Sequence, residues 1–197
     1  MNKGFYQQAL TLIESKMPIY YHNKKMMIFS EQCLDFLNRN SNITQMKGKF
    51  TRKNLSDLGR RDIILLNLFN YFIPKMINKM VSFQKDIQNS NKGKLETYSK
   101  FIDLPDNKKI ISNNTLTSFF KEFYLSIDKK LFMIFVYHCY FKELRNKSVH
   151  VNEDSAIPST DYLFKKVKDY CTLVRGYNGN CAKLKSKNED SSNCFLR

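Results

Sequence analysis

The sequence predicts an all-α fold, an antiparallel bundle of about five helices, and three observations carry that expectation. Glycine and proline number only 6 and 4 in 197 residues, too few for a chain of many short strands and tight turns. Hydrophobic residues reach 42%, with 16 Phe and 11 Tyr, enough to fill a buried core. Along most of the chain these apolar residues recur at steps of three and four, the spacing of one helix face.

Residues 3 to 16 place Phe5, Ala9, Leu12 and Ile13 at helical spacing. Pro18 suits the first turn of a second helix, which carries Tyr20, Met27, Leu34 and Leu37 and fades near Asn40. Residues 38 to 53, NRNSNITQMKGKFTRK, are polar, basic and aperiodic, and read as a loop. Ser56 is placed to cap the next helix. Its apolar positions are Leu58, Ile63, Leu66, Phe69, Ile73, Ile77, Met80 and Val81. Pro74 lies inside that pattern and should kink or split it. Residues 88 to 94 form a loop, a short amphipathic piece covers 95 to 103, and LPDNKK ends it.

Thr115 to Phe123 opens the next helical region, and Asp128 to Lys147 follows with Leu131, Phe132, Phe135, Val136, Cys139 and Tyr140. That helix is apolar nearly all round in its middle, which predicts a central position. Residues 152 to 160 read as a loop, and Ser159 or Thr160 can cap a last helix from Asp161. Its stripe is Tyr162, Leu163, Val167, Tyr170 and Leu173, and Gly176 is expected to stop it. The expected organisation is one helical domain over 1–176, with N-terminal helices in 3–40 and a core in 55–175. A polar tail over 177–197 is expected to be disordered. Short connections favour antiparallel neighbours.

Lys and Arg total 33 against 18 acidic residues, a net charge of +15. A positive field of that size attracts polyanions, of which RNA is a common one; the alternative is a merely solvated lysine-rich surface. The basic loop residues Lys47, Lys49, Arg52 and Lys53, with Arg60, Arg61 and Lys147, are the candidates to grip an RNA backbone. The 5 cysteines form no C-x-x-C pair, which argues against structural zinc and for reduced thiols in a cytoplasmic protein. No metal and no cofactor are expected. The N-terminus lacks an apolar h-region. No apolar run approaches the roughly 20 residues of a membrane span, so no membrane association is expected. The phosphate-loop, dinucleotide, zinc-protease and serine-hydrolase motifs do not occur.

Of 3 histidines, His22 has no acidic or thiol neighbour in sequence, and His138 lies in an apolar run that suits a hydrogen-bonded core histidine. His150 differs: in FKELRNKSVHVNED it follows Arg145 and Asn146 at the end of the central helix. This R-N-x-x-x-H segment, on a basic helical chain and followed by one more helix, resembles the HEPN family. The resemblance covers roughly residues 55 to 175 as a helical pattern, and at residue level it rests on this one motif. It implies a metal-independent endoribonuclease, acting as a toxin or an abortive-infection effector in anti-phage defence, with Arg145, Asn146 and His150 at its site. It also implies a homodimer whose two motifs line one cleft, and regulation by an antitoxin or a phage protein. Some members are silenced by modification of a tyrosine just beyond the histidine. Here Val151 and Asn152 follow, and the next tyrosine is Tyr162, so that form of control is in doubt.

The chemistry is coherent. RNA carries its own nucleophile, the 2′-hydroxyl. A histidine with an ordinary pKa near about 6.5 can move protons at neutral pH, and an arginine fork matches phosphate oxygens and stays charged. Geometry sets a condition, because five residues of helix turn through about 500° and leave the two side chains roughly 140° apart. The helix must end or distort between them, near 147, or a two-fold axis must pair them between chains. In the structural alternative Arg145 caps the helix or pairs with Glu143 or Asp154, and His150 hydrogen-bonds in a turn. The functional alternatives are a non-catalytic HEPN-like module that binds RNA or protein, and an unrelated basic interaction protein.

Overall fold

The structure is a computed structural model that describes residues 3–24, 26, 39, 62, 65–66, 68–84, 87, 93–106, 108–109, 129–149 and 158–188. The described residues are all-helical, with five α-helices and no strand: α1 (Lys3–Asn23), α2 (Ile73–Ser82), α3 (Lys94–Asp103), α4 (Lys129–Val149) and α5 (Thr160–Asn188). A π-helical turn, Leu68–Phe72, leads directly into α2. Beyond Lys24 the expected second helix, apart from Met26 and Arg39, lies outside the described residues, as do the expected helical region 115–123 and the rest of the loop at 38–53.

α4 is the centre of the bundle. From Ile134 to Phe141 every side chain is buried, and α4 packs against α1, α2, α3 and α5. On one side Phe69 of the π turn meets Tyr21 of α1 and Phe135 and His138 of α4, with ring centroids 5.5, 5.4 and 4.8 Å away. On the other side Tyr170 of α5 meets Tyr137 and Phe141 at 6.2 and 5.5 Å. Most of these rings are tilted or edge-on, the favoured aromatic arrangement. The hydroxyls of Tyr21 and Tyr170 bond to each other inside the core, and burial, the largest influence on both, raises their pKa values.

Two prolines and a glycine show where local preference yields to packing. Pro18 does not open a second helix; it lies inside the continuous α1. A proline in a helix interior removes one backbone bond, but the Pro18 ring is buried, and Tyr21, one turn later, is fully buried. Pro74, expected to kink or split its helix, is accompanied by a π turn, and Phe72 before it keeps αR angles. The chain passes through the π turn and restarts as α2 with Pro74 in its first turn, where a missing N–H costs least. Gly176 does not stop α5, which runs on to Asn188. Tyr177, the next residue, is 2% exposed, and its burial holds the helix through the glycine. The remaining boundaries agree with local chemistry. Leu104 leaves α3 in an extended conformation (ψ 140°) because Pro105 follows, and Ser159 Oγ accepts the Tyr162 N–H at 3.3 Å as the cap of α5.

Candidate functional site

Arg145 lies on the last full turn of α4 and faces α1. Its Nη1 stands 3.5 Å from a carboxylate oxygen of Glu14 and donates to Asn146 Oδ1 at 3.2 Å. Two turns before Glu14 on the same face of α1, Gln7 Nε2 donates to the Ser148 carbonyl at 3.3 Å. Ser148 Oγ in turn donates to the Arg145 carbonyl at 2.8 Å. Numbers rise along α1, from 7 to 14, as they fall along α4, from 148 to 145, so the two helices run antiparallel. These contacts tie the C-terminal turns of α4 to α1 and set which way Arg145 leans.

The Glu14 pair is longer than the 2.7–2.9 Å of a tight charge-assisted bond, and the Arg145 side chain is 36% exposed against 15% for Glu14. The pair therefore orients the guanidinium without occupying its whole fork of donors, and the rest remain open to an oxyanion. The partner found is not Glu143 but Glu14, which no local pattern could have indicated; Asp154 lies outside the described residues.

One turn back, Lys142 was also missed by sequence reasoning. Pro74 has no N–H to offer the Asn70 carbonyl four residues before it, and the Lys142 ammonium donates to that carbonyl. Its Nζ also lies 5.9 Å from the Tyr71 ring centroid. Burial lowers its pKa, while Cys139, Glu143 and Glu14 act against that shift.

The other sequence candidates divide cleanly. Asn146 is in place and bonded to Arg145. Lys147 is partly buried and leaves the helix about 200° round from Arg145, so it is not brought to that guanidinium. α4 continues to Val149, two residues past the expected ending near 147, and His150 is the next residue in the chain. His150, Lys47, Lys49, Arg52, Lys53, Arg60 and Arg61 lie outside the described residues. His138 is a core residue, but not a hydrogen-bonded one, since neither ring nitrogen has a partner among the described residues. Burial first, and then Lys142, lowers its pKa to about 3, so it is neutral and sealed from any phosphate.

A second polar cluster joins α3 to α5. Lys166 Nζ contacts Asp103 Oδ1 at 2.5 Å, the Tyr162 hydroxyl donates to Asp103 Oδ2 at 2.6 Å, and Ser99 Oγ lies 2.9 Å from the same hydroxyl. The ammonium also lies 5.0 Å from the Tyr162 ring centroid. Burial, followed by the bond to Asp103, pushes the Tyr162 pKa up to about 12. The tyrosine hydroxyl nearest downstream of His150 is thus already engaged within the fold.

Among the described residues, no three His, Cys, Asp or Glu side chains gather as metal ligands, and no helix is long and apolar enough to cross a membrane. No known family, curated protein or solved structure matches the chain.

Proposed function

We propose that this chain is a metal-independent endoribonuclease of the HEPN type, acting in the cytoplasm as a toxin or abortive-infection effector. The observation that carries the proposal is the Arg145 guanidinium, steadied by Glu14 and Asn146 yet part-open, at the end of a buried helix and five residues before His150. His150 takes the proton from the 2′-hydroxyl as it attacks the adjacent phosphorus. Arg145 stabilises the charge that develops on the phosphate oxygens. The P–O5′ bond breaks and the 5′-oxygen takes a proton from solvent water, giving a 2′,3′-cyclic phosphate and a 5′-hydroxyl. DNA lacks the nucleophile and is not cut.

α4 is helical to Val149, and on a regular helix positions five apart lie roughly 140° apart. The simpler arrangement is a homodimer in which Arg145 of one subunit and His150 of the other share a phosphate. A toxin of this kind needs restraint, and the expected regulator is a protein, an antitoxin or a phage product.

The test uses end-labelled RNA with chelator present. Cutting by the wild type, cyclic-phosphate ends, and loss of cutting in both Arg145→Ala and His150→Ala support the enzyme. Equal cutting by all three proteins overturns it. A second reading is a non-catalytic module that binds RNA or a partner protein. It is favoured by the Arg145–Glu14 ion pair, which gives Arg145 a structural role of its own. Tight RNA binding without cutting by a folded dimer selects that reading.

A further inference from the structure

Four exposed residues at steps of four form a row along the π turn and α2: Tyr71, Lys75, Lys79 and Phe83. Residues four apart on a helix are surface neighbours, and the row is about 18 Å long. Its ends are aromatic and open to solvent, Tyr71 at 60% and Phe83 at 66%. Its middle is cationic, and the sequence holds no acidic residue between Asp62 and Asp86. The opposite side of α2 is anchored in the core through Ile73, Pro74, Ile77 and Val81, so the row is presented on a fixed element.

An exposed aromatic costs solubility unless something covers it, and lysines between two such rings restrict what that something is. Flat rings with cations between them suit unpaired bases joined by phosphates: the rings stack on base faces and the ammonium groups meet the backbone. An acidic protein partner would meet the lysines but has no general use for the two flat rings. A duplex hides its base faces and would meet only the lysines. The row also points somewhere. Its Tyr71 end lies beneath Lys142, one helical turn from Arg145 on α4.

We propose that Tyr71, Lys75, Lys79 and Phe83 form a track for single-stranded RNA that delivers the strand to Arg145. This rests on the ribonuclease reading for its direction but not for its binding. The track selects unpaired RNA without reading its sequence, since every base offers a stacking face.

The test is fluorescence anisotropy of a labelled oligouridine with the full-length chain carrying His150→Ala, in chelator and across a salt series. Lys75→Gln with Lys79→Gln weakens binding and reduces the salt slope by about 1.4, two phosphate contacts on a single strand. Tyr71→Leu with Phe83→Leu, which keeps apolar bulk but removes the flat rings, weakens binding about tenfold or more and leaves the slope unchanged. Lys165→Gln with Lys168→Gln removes equal charge from the exposed side of α5 and has the smaller effect. The track is overturned if the α5 pair weakens binding as much as the α2 pair. It is overturned too if the leucine pair binds like the parent, or if duplex RNA binds as well as single strands. A wild type that never cuts RNA but binds it through these four residues keeps the track and removes the nuclease. Cutting that survives in both α2 variants keeps the nuclease and removes the track.

Discussion

Two polar junctions hold helices together in this molecule, and they are built differently. Between α3 and α5, Lys166 is buried and grips Asp103 at 2.5 Å, while the Tyr162 hydroxyl donates to Asp103 and pairs with Ser99. Between α1 and α4, Arg145 meets Glu14 at 3.5 Å and keeps over a third of its side chain in solvent. In the first the cation is almost wholly buried, its side chain 7% exposed. The second is an oriented cation with donors to spare. Both are ion pairs between helices, yet the looser one leaves its cation far more exposed. Tightness of pairing, more than the presence of a pair, separates a strut from a site.

The sharpest way to break this contrast is Arg145→Ala. RNA cutting is expected to fall about a thousandfold, roughly 4 kcal/mol of transition-state stabilisation. The melting temperature should change little, because a part-exposed pair contributes less than about 1 kcal/mol. A drop in thermal stability that accounts for the lost cutting would place Arg145 among the struts.

α4, which carries Arg145, also carries a weakness of its own. His138 has a folded-state pKa of about 3 against an ordinary 6.5. Between those values the unfolded chain binds a proton that the folded chain does not. Stability is therefore complete above about pH 6.5 and declines as pH falls toward 3, by about 3 kcal/mol at pH 4. Urea denaturation of His138→Phe across that range should lack this part of the decline. Parallel curves for the two proteins would remove His138 as the cause.

At the closed junction, Asp103→Asn leaves the buried Lys166 ammonium without its carboxylate. The expected cost is about 2 kcal/mol, moderated because Asp103 is 44% exposed, with cutting per folded molecule unchanged. Glu14→Gln at the open junction should cost under about 1 kcal/mol. Denaturation midpoints that rank the two substitutions the other way would reverse the assignment of strut and site.

The smallest effect sharpens the comparison as a control. A methyl group at Gly176 would meet nothing within 4 Å, so Gly176→Ala should stabilise α5 by about 1 kcal/mol, read as a melting temperature higher by a few degrees. It touches neither junction, and cutting should stay the same; a change in cutting would tie activity to global stability instead of to Arg145.

Much of this architecture was legible in the chain because it is local. The run Leu131–Phe141 announced a helix buried on all sides, Pro74 announced a break, and Ser159 announced a cap. The misjudged boundaries, Pro18 and Gly176, are places where one buried neighbour outweighs a breaker: Tyr21 after the proline, Tyr177 after the glycine. The candidate site was half legible. Arg145 and Asn146 could be singled out from their own segment, since the motif is continuous in sequence. Glu14, Asp103 and Asn70 could not, because their partners come from distant parts of the chain and bond geometry between helices leaves no periodic trace.

The lysine that answers for a proline has an evolutionary corollary. Where Pro74 withholds a backbone donor, Lys142 supplies one from another helix, so the two positions form a single mended bond written in two places. A lineage that reverted the proline would make the lysine redundant at the carbonyl, and a lineage that first lost the lysine would strand an oxygen. In a set of descendants these residues should come and go together, and that pairing would identify true kin even where the remainder of the chain has drifted beyond recognition.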